Sequence, residues 1–260
     1  MLSAIEVQRI ADELYEAERD MAAIMPLTNK NPALTVDDAY AIQMANVARV
    51  IEMGYVISGK KIGLTSTAIQ NQIGVDEPDY GHLFTAMDCE EGIVDASKLI
   101  QPKIEAELAF VLASDLSGRK ITAEDVRAAT EYVVGAFEIV DSRVADWKIK
   151  LADTVADNAS SGRYILGKTH LDAREIDLKS VTMRLYRNGE QVEEGTGAAV
   201  LGDPFLSVAW LANKLRSYGV SLKKGEVILS GAFSAAPVAK KGDVFRAEFS
   251  SFGNVTAEFK

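Results

Sequence analysis

Apolar residues recur at helical spacing in the first third of the chain. One stripe consists of Ile10, Leu14, Ala17 and Met21, which share a face at the period of an α-helix. Ser3 and Glu6 precede this stripe with the spacing of a capping box, in which each side chain accepts a backbone N–H of the first turn. The pattern predicts that a helix begins at Ser3.

A second helix is predicted a short distance further on. Thr35 and Asp38 repeat the capping pattern. The apolar face that follows consists of Tyr40, Met44, Val47 and Ile51. Gly54 comes soon after this face and predicts the end of the helix, because glycine adopts positive φ without strain.

The period changes after Gly54. Residues 55–64 have the pattern of a strand, 67–73 that of a short helix, and 76–81 that of a loop, since Asp, Pro and Gly cluster there. We expect this loop to be functional, because acidic loops between ordered elements commonly carry binding or catalytic groups.

Strands dominate from about residue 95 onward. They are predicted at 103–112, 133–140, 226–231, 244–249 and 254–259, with helices at 122–130 and 204–218. Asn188-Gly189 predicts a hairpin, because a type I′ turn needs positive φ at both central residues. The predicted fold is α+β, helical first and strand-rich later, with no repeat or clear linker.

Composition narrows the class of protein. The 260 residues, 48% of them hydrophobic, suffice for a sizeable core in one large domain or a small and a larger one. The net charge is -10, and adjacent basic residues form clusters no larger than pairs, which argues against nucleic-acid binding. One cysteine, an acidic N-terminus and no apolar run of ~20 residues predict a cytoplasmic protein without a membrane span or signal peptide.

Two glutamates stand on one face of the strand predicted at 103–112. Alternate residues of a strand share a face, so Glu105 and Glu107 lie side by side, opposite an apolar face. Glu138 lies within the apolar strand at 133–140, where an unpaired carboxylate is costly. A cation bound by oxygen ligands, Mg²⁺ or Mn²⁺, resolves this cost and the mutual repulsion of three carboxylates.

This carboxylate cluster has alternatives. Glu105 and Glu107 could face solvent on a half-exposed strand, and Glu138 could pair with an arginine such as Arg143. A histidine-rich zinc site is unlikely on composition, because the chain has only two histidines.

Further candidate residues lie outside the cluster. Lys60 and Lys61 point to opposite faces of a strand, so one can face inward and bind a substrate carboxylate or enolate; the alternative is a solvated lysine. Asp79 is a candidate acid or base if burial raises its pKa, and otherwise a turn residue. Residues 157–162, Asp-Asn-Ala-Ser-Ser-Gly, could hold a carboxylate or form an ordinary loop.

Eight segments, in order along nearly the whole chain, carry a family resemblance. They are GKKIGLTS at 59–66, GVDEPDYG at 74–81, QPKIEAELAFVL at 101–112, FEIVDSR at 137–143, DTVADNASSG at 153–162, GAAVLGDP at 197–204, VAWLANKL at 208–215 and GEVILSG at 225–231. Together they resemble the hydratase and decarboxylase family of aromatic meta-cleavage pathways, within the fumarylacetoacetate hydrolase-like superfamily.

The resemblance implies a mixed β-roll with an α-helical N-terminal part, divided as 1–95 and 96–260. It implies that Glu105, Glu107 and Glu138 bind Mg²⁺ or Mn²⁺. It also implies that Asp79 is the acid/base and that Lys61 and Ser160 bind the substrate. A homo-oligomer acting on a small 2-hydroxydienoate is implied as well.

Two features indicate the branch of the family. Residues 146–150, Asp-Trp-Lys-Ile-Lys, resemble the hydratases, and Asp79 is the second feature. Water addition needs an acid or base, which Asp79 can supply. The decarboxylases resemble this chain in the other motifs but carry an apolar residue at the position of Asp79. The expected activity is that of a hydro-lyase, which converts 2-hydroxypenta-2,4-dienoate to 4-hydroxy-2-oxopentanoate. The alternatives are 4-oxalocrotonate decarboxylase, a hydratase of a longer 2-oxo-enedioate, and a non-catalytic scaffold; a decarboxylase of the same pathway is a possible partner.

Overall fold

A computed structural model describes residues 1–66, 70–71, 74–75 and 77–260. Most of the helix predicted at 67–73, and Asp76 of the predicted loop, lie outside these described residues. The helices are α1 (Ala4–Arg19), α2 (Leu27–Lys30), α3 (Val36–Glu52), α4 (Ala123–Ala129), α5 (Leu151–Ala156) and α6 (Pro204–Ser217). No helix in the described ranges is long and apolar enough to cross a membrane.

The local signals for helix ends are confirmed. Ser3 and Thr35 cap α1 and α3, and each forms the reciprocal capping box that its spacing predicts. Helix α1 buries Ile10, Leu14 and Ala17, as the stripe predicts, but Met21, the last residue of the stripe, lies beyond the helix and is 37% exposed. The apolar face predicted for α3 is only partly buried: Tyr40 and Val47 are buried, whereas Met44 and Ile51 are 44% and 47% exposed.

The strands form two sheets. They are β1 (Ile57–Gly63), β2 (Asp79–Phe84), β3 (Ile93–Val94), β4 (Lys103–Leu112), β5 (Thr130–Val140), β6 (Ser161–Leu166), β7 (Thr182–Arg187), β8 (Glu190–Thr196), β9 (Val227–Leu229), β10 (Val244–Phe249) and β11 (Gly253–Phe259). Their order is β2-β1-β9-β4-β5-β6 in the first sheet and β3-β11-β10-β7-β8 in the second. Asn188 and Gly189 both have positive φ in the β7–β8 turn, which confirms the predicted hairpin.

Two strands of the N-terminal part join the six-stranded sheet. β1 runs parallel to β9 and antiparallel to β2, so residues 57–84 continue the sheet whose other strands lie beyond residue 95. The pattern at 76–81 predicts a loop, but β2 begins at Asp79. The reason is tertiary, because Asp79 pairs with Gly63 in the β1–β2 ladder and the whole of β2 is buried.

The register of the six-stranded sheet positions the candidate residues. Glu105 of β4 lies opposite Glu138 of β5, and Glu107 lies opposite Ala136. On the other side of β4, Ala109 pairs with Leu229 of β9, and Leu229 in turn pairs with Lys61 of β1. These side chains therefore share one face of the sheet, because register partners point the same way.

A small apolar cluster occupies the same sheet face beyond the acids. It consists of Leu83, Ala109, Val111, Val134, Ala136, Tyr164, Val227 and Leu229. The larger core joins the helices to residues of both sheets. The charged groups thus lie next to packed apolar side chains, where a low dielectric constant strengthens the interaction between charges.

Candidate active site

Three carboxylates from neighbouring strands converge. Oxygen atoms of Glu105, Glu107 and Glu138 lie within 4.8 Å of one another. Glu107 and Glu138 are fully buried, and Glu105 is half-buried. The alternative in which Glu105 and Glu107 face solvent is therefore wrong.

The carboxylate oxygens are short of donors. Glu107 Oε2 accepts a hydrogen bond of 2.8 Å from the backbone N–H of Gly231. Among the described residues, Glu107 Oε1 and Glu138 Oε2 have no hydrogen-bond donor, whereas Glu138 Oε1 lies 3.1 Å from the Lys61 ammonium. Such buried orphan acceptors are rare in folded proteins. Several hard oxygen ligands with free lone pairs suit a divalent cation.

The pKa values of the cluster follow from burial and repulsion. Burial raises the pKa of Glu107 well above its ordinary value, and the neighbouring Glu138 and Glu105 raise it further. Burial also raises the pKa of Glu138 to about 8, although Lys61 opposes the shift. Carboxylates held in this way gain most from a cation that offsets their charge.

We expect the metal-free protein to lose stability as pH rises. The folded-state pKa values of Glu107 and Glu138 are both raised above the unfolded value of 4.5, and that of Glu138 is about 8. The stability that their protonated forms contribute is therefore full below the unfolded value and is lost as pH rises, for Glu138 up to about pH 8. Urea unfolding in EDTA should show the free energy of unfolding falling between about pH 5 and about pH 8. Excess Mg²⁺ should reduce that fall, and an identical pH slope with and without Mg²⁺ would contradict the prediction.

Lys61 is the buried cation of the cluster. Its Nζ lies 3.1 Å from Glu138 Oε1, and its side chain is 3% exposed. Burial opposes its charge, but Glu138, Asp79 and the other carboxylates more than offset this, and the pKa of the ammonium is raised. Lys60 is also buried but pairs with Glu226, 2.6 Å away. Glu138 therefore pairs with Lys61, and Arg143 is not its partner.

Asp79 lies beside Lys61 at the start of β2. Its Oδ2 accepts a 3.2 Å hydrogen bond from the Thr154 hydroxyl, and its Oδ1 has no donor within the described part of the chain. Burial raises the pKa of Asp79, while Lys61 and Thr154 lower it. Gly63 makes room for this carboxylate, since a Cβ there would lie 2.3 Å from Asp79 Oδ1. Asp79 is therefore a buried acid and not a turn residue at the surface.

Ser160 lies in a tight turn before β6, whose strand neighbours β5. Asn158, Ala159 and Ser160 all have φ between 50° and 54°, which costs conformational energy for residues with a Cβ. The Ser160 hydroxyl donates to Asp157 Oδ2 at 3.2 Å, and no hydrogen bond joins it to the three glutamates in the described structure. Strained backbone of this kind persists only where its surroundings hold it.

A buried arginine holds this turn. Arg143 pairs with Asp157 through Nε and donates from Nη1 to the carbonyl of Ser161 at 2.8 Å. Asn158 brackets His82 of β2, accepting from its N–H and donating to its carbonyl oxygen. The turn is therefore fixed to the strand that carries Asp79. Nothing in the local sequence pattern signals these links, because they join residues far apart in the chain.

We expect loss of Arg143 to destabilise the protein strongly. Arg143→Met leaves Asp157 as an unpaired buried carboxylate, which should lower the free energy of unfolding by about 3–5 kcal/mol. Arg174→Met is the control, because Arg174 is exposed and pairs with Asp172 at the surface, where ion pairs contribute little to stability. Urea denaturation of both variants measures the difference, and equal losses would contradict the buried role of Arg143.

An open cavity of about 340 Å³ lies away from the carboxylates. It is lined by α1, α3 and the end of β2, including Tyr15, Asn46, Met53 and Phe84. None of the three glutamates, Lys61 or Asp79 lines it. The convergence of charged groups, rather than this cavity, identifies the candidate site.

Comparison with known proteins shows the family to which the chain is similar. A family model described as fumarylacetoacetate (FAA) hydrolase C-terminal matches residues 85–260. A 2-keto-4-pentenoate hydratase of Paraburkholderia xenovorans (strain LB400) is 48% identical over 97% of this chain and 94% of its own length. A 2-hydroxyhexa-2,4-dienoate hydratase of Comamonas testosteroni is 45% identical over 98% of this chain and 97% of its own.

A solved structure is similar over the full length. The 4-oxalocrotonate decarboxylase from Pseudomonas putida G7, complexed with magnesium and adipate, superposes with a TM-score of 0.97. It is 39% identical, and the match covers 100% of this chain and 99% of that one. The expected α+β roll with N-terminal helices is confirmed by this match and by the family model.

Proposed function

Because the chain belongs to the fumarylacetoacetate hydrolase family, we propose that it is a metal-dependent hydratase of 2-hydroxypenta-2,4-dienoate, with 4-hydroxy-2-oxopentanoate as product. Relatives at 45–48% identity over nearly the whole chain bear hydratase names. The observation that carries the proposal is the buried Asp79, whose Oδ1 has no donor among the described residues and lies beside a buried lysine and three converging carboxylates.

Glu105, Glu107 and Glu138 would hold the divalent cation. Among the described residues, Glu107 Oε1 and Glu138 Oε2 have no donor, and carboxylate oxygens with free lone pairs are the ligands that a hard cation takes. Mg²⁺ fits this oxygen-only set, and magnesium is present in the similar decarboxylase structure. A bound cation supplies Lewis acidity at the carboxylate and 2-oxygen of the substrate.

Lys61 and Asp79 divide the remaining chemistry. Ketonisation of the dienol with protonation at C5 gives a 2-oxo-3-enoate, whose C4 accepts water. The ionised Asp79 takes a proton from that water as the oxygen–carbon bond forms at C4. The same proton then passes from Asp79 to C3 of the resulting enolate, which restores the ionised carboxylate. The Lys61 ammonium, fixed by Glu138, stabilises negative charge that develops on the 2-oxygen.

Ser160 is proposed to contact the substrate. Its hydroxyl belongs to the strained turn held by Arg143 and Asp157. This turn immediately precedes β6, the neighbour of the strand β5 that carries Glu138. A rigid turn presents a polar group with little loss of entropy on binding. Cytoplasmic location, homo-oligomeric assembly and pairing with a decarboxylase stay predictions from the sequence.

The second candidate activity is decarboxylation of 4-oxalocrotonate. The TM-score of 0.97 with a decarboxylase favours it. Loss of CO₂ leaves an enolate that the same cation and Lys61 could stabilise. It does not need a group that activates water, so it gives Asp79 no role.

A product assay separates the two activities. The purified protein is incubated with 2-hydroxypenta-2,4-dienoate and, separately, with 4-oxalocrotonate, each with Mg²⁺ and with EDTA. We expect metal-dependent formation of 4-hydroxy-2-oxopentanoate from the first substrate. CO₂ release from the second without hydration of the first would replace the proposal by the decarboxylase, and no reaction with either would favour a scaffold.

A further inference from the structure

The hydroxyl of Thr154 contacts the candidate acid/base directly. Thr154 lies on α5, is 4% exposed, and donates to Asp79 Oδ2 at 3.2 Å. Asp79 Oδ1 has no donor among the residues that the structure describes. A carboxyl group held by one oxygen keeps the other free to take or give a proton.

We infer that Thr154 is a positioning residue, whose hydroxyl fixes the Asp79 carboxyl group so that Oδ1 is the atom that exchanges a proton with the reacting water. Asp79 Oδ1 and Lys61 Nζ both approach the same side of Gly63, at 2.3 and 3.5 Å from the position of a Cβ there. Rotation of the carboxyl group away from Thr154 would lose this arrangement. The inference rests on the proposed hydratase function and adds a residue to it.

Helix α5 is anchored independently of Asp79. On one side of Thr154, Asp153 accepts bonds of 2.9 and 2.8 Å from the N–H and hydroxyl of Thr28. On the other side, the carbonyl of Val155 accepts a 2.8 Å bond from the Gln43 side chain. The Thr154 hydroxyl is therefore presented from a fixed backbone, as a precise proton-transfer geometry requires.

The charged groups around Asp79 cannot replace this hydroxyl. Lys61 of β1 favours the ionised carboxylate, and the charge of Asp79 in turn raises the pKa of Glu105 of β4 and of Glu138 of β5. Tyr40 of α3 also lies close enough to interact with that charge. These groups act through space, whereas the hydroxyl of Thr154 alone donates a hydrogen bond from a side chain to Asp79 in the described part of the chain. A hydrogen bond to the charged form also stabilises that form.

The test compares Thr154→Val, which keeps the shape but removes the hydroxyl, with Thr154→Ser, which keeps the hydroxyl. We expect Thr154→Val to lower kcat about 10-fold with KM within about twofold, because a bond to a charged group is lost. The acid limb of kcat/KM should move up by about half to one pH unit, since ionised Asp79 becomes harder to form. Thr154→Ser should restore both values to near wild type.

Thr28→Val is the matched control. It removes the buried hydroxyl bond to Asp153 and should lower stability. The bonds from the Thr28 N–H and from Gln43 still hold α5, so kcat and the pH profile should be unchanged. If Thr154→Val alters stability alone, as Thr28→Val does, the positioning role is wrong. Wild-type protein that hydrates no dienoate would instead overturn the proposed function, so the two failures are distinguishable.

Discussion

Asp79→Asn should abolish most hydration while metal binding is retained. The amide cannot take a proton from water, and general acid–base groups contribute about 10²–10⁴-fold to rate, so kcat should fall by about that factor. The buried acid is isosteric with asparagine, and the Thr154 hydroxyl can still donate to the amide oxygen. Steady-state kinetics with saturating Mg²⁺, together with calorimetric titration of Mg²⁺, measure the two properties separately.

Asp20→Asn provides the control for the change of charge. Asp20 is exposed and pairs with Arg19 at the surface, so its variant should keep wild-type turnover. Normal turnover by Asp79→Asn would remove Asp79 from the mechanism. Loss of both turnover and Mg²⁺ binding would show that Asp79 supports the cation site and not proton transfer.

Glu107→Gln should nearly abolish metal affinity and with it activity. Loss of a group that merely supports a metal ligand costs about 10–100-fold in affinity, so loss of a charged ligand should cost at least about 100-fold. Burial raises the pKa of the Glu107 carboxyl group well above its ordinary value, so its ionised form lowers the stability of the fold. A neutral amide removes this cost. In EDTA, at about pH 8, we therefore expect the variant to be more stable than the wild type.

Thermal unfolding with and without Mg²⁺ tests both parts of this expectation. Mg²⁺ should raise the Tm of the wild type and leave that of Glu107→Gln nearly unchanged, because a ligand stabilises only the state that binds it. Glu131→Gln, an exposed position on the strand that carries Glu138, should respond to Mg²⁺ as the wild type does. An unchanged response by Glu107→Gln would exclude Glu107 from the cation site.

Period and spacing are sufficient where the structure depends on neighbours in the chain. Strand alternation predicts that Glu105 and Glu107 share a face, and the structure has them there. The capping boxes at Ser3 and Thr35 need only residues three positions apart. The β7–β8 hairpin follows from Asn188-Gly189 for the same reason.

Tertiary structure decided which charged groups meet. Lys60 and Lys61 are indistinguishable by local pattern, yet the sheet register pairs Lys61 with Glu138 and directs Lys60 to Glu226. The sequence alone leaves Arg143 as a possible partner of Glu138, but the fold assigns it to Asp157. These choices depend on burial and on contacts across the fold.

Asp79 shows the boundary between the two kinds of information. Its Pro, Asp and Gly neighbours have the composition of a turn, and the sequence predicts a loop there. Pairing with β1 makes it the first residue of a buried strand, and α5 brings Thr154 to it. The sequence determined the helix caps, the hairpin and the carboxylate face, because those depend on short spacings. Only the tertiary structure set the surroundings of Asp79, because they depend on strand register and packing between distant segments.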